Sequence, residues 1–546
     1  VFGDILAGGK NSRLYKRLVY KDQIATDVVA GVNERELGSQ FLLWATAKPG
    51  VSLAQIETAV DEELALLLKH GPTAEELARV KTAKLAALVR GLERIGGFGG
   101  KADILAASQT YHGTPDAFKQ QLDALKNTNI QQVQQTAQAW LSDGVLICEV
   151  TPYVEGSVTS KEADRSKLPE TGTPPDLRLP TVQTATLSNG LKVQLAQRNA
   201  APIVEMELLF DAGFAADNKQ AGLANLTLGM LDEGTNTRDA LTIAAELESL
   251  GSALSAGSNL DSSYLSLSSL NTTLDASLAL FADVVINAQF PENELTRLRE
   301  QQINGIRQEK AKPSSMAMRV LPRLLYGDDH VYSNPLSGSG QEDIVKQLSR
   351  DDLLDFQKRW LRPDNATLVV VGDITLDALL PLLEKHLQTW QAPQTPRGVK
   401  TLGRIFPNEK PRVILMNKPG AEQSVIVAGQ LAPPKSDADD LALGTVNEVL
   451  GGMFTSRLNM NLREDKHWSY GVRTALYDAR GQRPLLVVAP IELAHTTDAM
   501  NEMLKEIHGI AGDKPITPEE LTAAKNNQTL KLPGEHETAG AILDTL

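Results

Sequence analysis

Residues 447–472 read Asn447-Glu448-Val449-Leu450-Gly451-Gly452-Met453-Phe454-Thr455-Ser456-Arg457-Leu458, continuing through Leu462-Arg463-Glu464 to Trp468-Ser469-Tyr470-Gly471-Val472. A related run opens the chain: Gly3-Asp4-Ile5-Leu6-Ala7-Gly8-Gly9, then Ser12-Arg13-Leu14, then Leu18-Val19 and Val28. A constant offset of 444 positions, Gly3 onto Asn447, aligns the two without a gap. The same offset brings Thr73, Glu75, Glu76 and Leu77 onto Thr517, Glu519, Glu520 and Leu521. A register that survives so far downstream marks duplication of a domain-sized unit rather than a short solenoid repeat. The copies differ where chemistry could reside: Arg463 faces Val19, and Tyr470 faces Thr26.

A chain of 546 residues exceeds what one hydrophobic core organises, so several domains are expected. With 42% hydrophobic and 22% charged residues, the composition is that of a globular protein. No run of 18 apolar residues provides a membrane-spanning helix. A net charge of −14 argues against a general nucleic-acid binder, which needs a basic face. The single cysteine, Cys148, rules out an intrachain disulfide framework and a cysteine metal cluster; it reads as a small buried residue in a strand.

Working outward, residues 1–150 read as mixed α and β. Apolar spacing predicts a helix over 4–18, strands over 27–32 and 41–47, and helices over 53–69, 74–92 and 130–141, leading into a strand at 145–150. Ser52 and Thr73 stand at N-cap positions, and Glu75 and Glu76 occupy the first turn of the second long helix. Residues 151–180 have the Pro, Gly, Ser and Thr content of a linker. A second unit, 181–391, opens on an Asn189-Gly190 hairpin and closes on Val369-Val370-Val371-Gly372-Asp373. A third, 392–546, follows a Pro-rich bridge and contains the second copy of the repeat.

Ordered together, these segments resemble the insulinase/pitrilysin-like zinc peptidases. The resemblance rests on Leu187-Ser188-Asn189-Gly190-Leu191-Lys192-Val193, Ala221-Gly222-Leu223-Ala224, Glu233-Gly234-Thr235 and Val369–Asp373, and on the 447–472 run. It implies an α+β fold of repeated two-layer domains, each an antiparallel-rich sheet with helices on one face, arranged as halves of a clamshell peptidase. It also implies a domain plan: 1–150 a C-type domain of a first half, truncated at its N-terminus and lacking the Arg/Tyr pair; 181–391 an N-type domain; 392–546 a C-type domain, truncated at its C-terminus, that keeps the pair. In the family the first N-type domain holds zinc through an inverted His-x-x-Glu-His motif and a further Glu. The facing C-type domain supplies an Arg and a Tyr to the substrate carbonyl and developing oxyanion.

The zinc motif is degenerate here. Its three positions fall on Asn225, Leu228 and Gly229, and the downstream Glu position falls on Gly305. The eight histidines show no His-x-x-Glu-His or His-x-x-x-His spacing. The resemblance therefore implies Zn2+ bound outside this chain, in a zinc-bearing domain supplied in cis or in trans, with none in these residues. Arg463 and Tyr470 carry the expected catalytic roles, toward a peptide or unfolded-protein substrate. The chain is read as a fragment of a longer metalloendopeptidase, inactive alone, and the family points to a bacterial periplasm or envelope. The alternative is a non-catalytic scaffold or regulatory subunit of the same family. Arg457 and Arg13, present in both copies, are expected in structural salt bridges with Glu448 or Asp4. Gly451-Gly452 is expected to let the backbone pass close to a neighbouring element.

Overall fold

A computed structural model describes residues 1–35, 37–141, 144–150, 177–406 and 410–546. Three sheets organise it. The first is the antiparallel pair β1 (Ala25–Asn33) and β2 (Gln40–Ala47). Helices Phe2–Ala7 and Leu53–His70 pack on one face of it through Ile5, Leu6, Ile56, Ala59 and Leu67, in one core with Val28. The second sheet has six strands: β3 (Val182–Thr186), β4 (Lys192–Gln197), β5 (Ile203–Phe210), β6 (Ala253–Ser258), β7 (Ser263–Leu270) and β8 (Ala366–Gly372). Their spatial order is β3-β4-β8-β5-β7-β6, antiparallel except for β4 beside β8. The third comprises β9 (Gln423–Ala432), β10 (Arg473–Leu476) and β11 (Arg483–Glu492), with β11 central.

Alternation decides which face of each sheet is covered. Along β5, Val204, Met206, Leu208 and Phe210 enter the main core, while Glu205 and Glu207 point the other way and accept from Ser268 and Ser266 of β7 at 2.6 and 2.8 Å. The helical layer over the apolar face includes Leu274–Asn287, Arg350–Trp360 and Leu376–Leu387. On the opposite face the helix Ala539–Leu543 packs Ile542 and Leu543 against Val369 and Val371 of β8. The fold is α+β, built of repeated sheet-and-helix layers.

The duplication is visible atom by atom. Arg13 holds Glu76 through Nε and Nη2, both at 2.9 Å, and donates to the Gly71 carbonyl at 3.2 Å. Arg457 holds Glu520 at 2.7 and 2.6 Å and donates to the Pro515 carbonyl at 3.0 Å, each partner displaced by the same 444 positions. Each glutamate also closes a capping box, Glu76 on Thr73 and Glu520 on Thr517. The partners are therefore not Glu448 or Asp4. Glu448 accepts from Asn527, and Asp4 pairs with Lys84. Both copies also contain a π-helical turn at corresponding places, Tyr15–Lys21 and Met460–Asp465.

Two local expectations fail. The helix over 4–18 is interrupted, because Gly9 adopts φ +83° and ends Phe2–Ala7 before the π turn begins. Residues 145–150 form no strand: they lie beside no sheet, their apolar side chains are exposed, and Cys148 is exposed rather than buried. A strand needs a partner ladder, and none reaches this segment among the described residues. Of the 151–180 linker, residues 151–176 lie outside the described residues.

Candidate functional site

Arg463 lies within the π turn Met460–Asp465, and Tyr470 lies three residues before β10. The turn is anchored by Leu458 and Leu462, both fully buried. Asn459 fixes the approach to β10: its Oδ1 accepts from the Val472 N–H at 3.1 Å, and its Nδ2 donates to the Phe454 carbonyl at 2.7 Å. Gly451 lets the preceding segment close on β10, since a Cβ there would stand 2.5 Å from Thr474 Cγ2 and 2.7 Å from the Thr474 nitrogen. The expected close approach is thus found at Gly451.

The two candidate side chains meet. The Arg463 guanidinium lies 5.7 Å from the Tyr470 ring centre and 4.7 Å from that of Phe454. It makes one edge contact with Glu464, at 3.3 Å. Tyr470 is 88% exposed and Phe454 61%, so the cluster stands open to solvent. It offers a fixed cation and a phenol donor side by side, the groups that receive negative charge growing on an oxygen. Phe454 escaped the sequence reading; its counterpart in the other copy is Lys10, and that contrast was the available signal. Trp468 stacks on His495 at 4.7 Å and packs against the local core, which is a packing role.

The corresponding surface of the first copy is not open. Lys10 pairs with Asp232 at 3.1 Å and Glu233 at 3.0 Å. Tyr20 donates to Glu294 at 2.9 Å, and Arg297 bridges Glu233 and Glu294 at 2.6 and 2.8 Å. Burial opposes the charge on Lys10, but the two carboxylates outweigh it and hold the ammonium above its usual range. Burial, then the Glu294 hydrogen bond, push the Tyr20 phenol up to about 12. Further along, Arg79 reaches Glu248 at 3.0 Å, and Arg90 reaches Ser268 Oγ at 2.7 Å and the Gly251 carbonyl at 2.6 Å. These contacts seat the first copy on the second unit, along its 232–251 segment, at Glu294 and Arg297, and at Ser268 of β7.

At the degenerate motif the residues do not fit zinc. Asn225 donates to the Ser337 carbonyl at 3.1 Å, and its Oδ1 is buried without a partner. Leu228 is fully buried in the core, Gly229 lies against Leu298, and Gly305 presents no side chain. No group of three or more His, Cys, Asp or Glu side chains is placed to hold a metal among the described residues. The short helix Leu223–Gly229 is instead fixed by Asp217, which accepts from the Gly222 and Ala224 N–H groups at 2.7 Å each. Complete burial, only partly offset by these bonds, pushes its carboxyl up to about 7.

Comparison with known proteins gives the family. The model described as "Peptidase M16 inactive domain" matches residues 1–84 and 347–528, and "Insulinase (Peptidase family M16)" matches 192–338. An uncharacterized zinc protease of Mycobacterium leprae is 26% identical over 380 residues, 68% of this chain and 80% of the relative. Mitochondrial cytochrome b-c1 complex subunit 1 of Bos taurus is 22% identical over 277 residues, 50% of this chain and 56% of the subunit. Among solved structures, a peptidase M16 inactive domain from Pseudomonas fluorescens gives a TM-score of 0.59 at 24% identity, covering 67% of this chain and 88% of its own. The periplasmic protease PqqL from Escherichia coli gives 0.58 at 16% identity, covering 98% of this chain and 62% of its own.

Proposed function

This chain belongs to the insulinase family of metallopeptidases, family M16, and we propose that it contributes chamber walls and transition-state groups to a zinc-dependent endopeptidase acting on peptides or unfolded polypeptides. The zinc is assigned to a further N-type domain, in cis or in trans, because the positions in this chain cannot hold it. One observation carries the reading. The face that in the first copy is sealed by Lys10, Tyr20 and their carboxylate partners is, in the second copy, an open cluster of Phe454, Arg463 and Tyr470. The sealed pair joins a C-type unit lacking Arg and Tyr to an N-type unit lacking zinc ligands. By the same docking, the open cluster faces a zinc-bearing N-type domain.

In that arrangement Arg463 holds the substrate carbonyl and Tyr470 donates to the oxygen on which charge develops. Fixed donors of this kind cost no reorganisation during the reaction and are worth about 3 kcal/mol each. Phe454 lies 4.7 Å from the same guanidinium and adds a second aromatic contact to it. Closure would remove the cluster from water and strengthen both interactions. A bacterial envelope location is part of the proposal.

A second reading, a non-catalytic scaffold, is favoured by the likeness to a cytochrome b-c1 complex subunit and by the lost ligands at 225, 228, 229 and 305. Metal content and peptidase activity separate the two. The 546-residue chain alone is expected to be zinc-free and inert, whereas the natural polypeptide or complex containing it holds one zinc per chain and cleaves unfolded casein. A natural assembly without zinc or cleavage establishes the scaffold.

A further inference from the structure

The π turns of the two copies differ at the position two residues before Arg463. In the first copy Arg17 stands there, and its guanidinium bridges Asp22 at 2.5 Å, Glu62 at 2.8 Å and Glu63 at 3.4 Å. The 444-residue offset carries Arg17 onto Asn461, Lys21 onto Asp465 and Glu62 onto Glu506. The correspondence holds between atoms: Asn461 Nδ2 donates to Glu506 at 2.9 Å, as Arg17 Nη2 donates to Glu62 at 2.8 Å. The matched pairs Arg13–Glu76 and Arg457–Glu520 enclose this place in sequence and exclude a local shift of register. The second copy has therefore kept the carboxylate and lost the guanidinium that meets it in the first.

A cavity of about 690 Å³ lies at this place in the second copy, and Asn461, Asp465, Glu506, Lys514, Met460 and Ile516 line it. Glu506 is 7% exposed. Asn461 Oδ1 is buried and accepts no hydrogen bond. Lys514 is 48% exposed, and its Nζ stands 3.7 Å from Glu506, beyond hydrogen-bond reach. The other cations nearby are engaged elsewhere: Arg457 with Glu520 at 2.6 Å, and Lys466 and Lys505 with Glu502 at 3.6 and 3.5 Å. A buried acceptor without a donor and a buried carboxylate without a close cation both favour a ligand that is positively charged and donates several N–H bonds.

We propose that this cavity is a binding site for a guanidinium group, supplied by free arginine or by an arginine side chain of a polypeptide, and seated where Arg17 reaches in the first copy. The planar fork donates to Glu506 and to Asn461 Oδ1, and Asp465 adds a second negative charge. Met460 and Ile516 receive the methylene stem. Asn461 and Arg463 share the turn Met460–Asp465, so the ligand sits two residues from the cation of the open cluster. Binding requires neither zinc nor peptidase activity, and it stands or falls apart from the preceding reading.

Isothermal titration calorimetry of the full 546-residue chain with Nα-acetyl-arginine amide tests it. Saturable binding of one ligand per chain is expected, at least tenfold tighter than that of Nα-acetyl-citrulline amide, in which a neutral urea replaces the guanidinium. Glu506→Gln is expected to weaken binding at least tenfold. Asn461→Arg supplies from within the chain the group that the first copy carries, and is expected to abolish binding while raising the Tm. Glu62→Gln, in the first copy, is the control and leaves binding unchanged. Free arginine titrated in parallel identifies the source: tighter binding than the capped compound assigns the site to the free amino acid, and weaker binding to a polypeptide side chain. Absence of saturable binding overturns the proposal, as does equal binding of the citrulline compound. So does binding that persists undiminished in either Glu506→Gln or Asn461→Arg, because the cation is then drawn by the net charge of −14 and not by this cavity.

Discussion

At Arg457 one guanidinium meets both oxygens of Glu520 and a backbone carbonyl, with Arg457 13% and Glu520 30% exposed. Charge-assisted bonds of this geometry depend on the planar fork of arginine. Glu520→Ala is expected to destabilise the chain by about 2 kcal/mol in urea unfolding, and Arg457→Lys to recover little of the geometry. Asp217 gives a pH signature. Its folded-state pKa, raised by burial to about 7 from 3.8, means that the folded chain keeps a proton the unfolded chain has released. Its contribution to stability is full below the unfolded value and lost as pH rises through 7. Relative to the non-titrating Asp217→Asn, the wild type is therefore expected to lose stability between about pH 4 and 7; a flat difference contradicts this. At this scale the contrast between Arg463/Tyr470 and Val19/Thr26 was readable, because duplication supplies an internal control. The role of Phe454 was not readable, since an aromatic residue in a loop does not announce which cation it faces.

Among the elements, the approach of the 447–452 segment to β10 is set by the absence of a single carbon. Gly451→Ala places a Cβ against both the side chain and the backbone of Thr474. Overpacking of this kind is expected to cost about 2 kcal/mol, and Thr474→Ala is expected to restore only part, because the clash with the Thr474 nitrogen remains. A double-mutant cycle on thermal melting checks it. Long amphipathic segments were legible for the same physical reason that they are stable: the helices at 53–70 and 74–91 each bury one face on a sheet or a neighbouring helix. Residues 145–150 show the limit of that reading. Their composition is that of a buried strand, but no ladder among the described residues receives them. The π turns at 15–21 and 460–465 were equally illegible, since a single turn of i→i+5 bonds within a helical segment has no residue signature of its own.

For the molecule, the arrangement of units depends on buried charge as well as apolar contact. Arg297, 9% exposed, lies between Glu233 and Glu294, which are 4% and 5% exposed. Arg297→Met leaves two carboxylates and Lys10 without their bridge and is expected to cost about 4 kcal/mol. The seam between the first copy and the second unit should open before the sheets unfold, seen as early loss of hydrogen-exchange protection at 10–20 and 232–250. The fold class was legible because its markers occur in order along the chain. The facing of one unit on another was not, because the contacts between Lys10 and Asp232 or Arg90 and Ser268 join residues far apart in sequence that share no motif. The central claim is that the open cluster of the second copy works on a substrate held against zinc in another domain. Its most direct test is Tyr470→Phe in the natural assembly, with turnover of an unfolded substrate and bound zinc measured together. A fall in kcat of about 10²- to 10³-fold with zinc content unchanged is the expected result. Unchanged turnover, or an assembly that holds no zinc before the substitution, contradicts it.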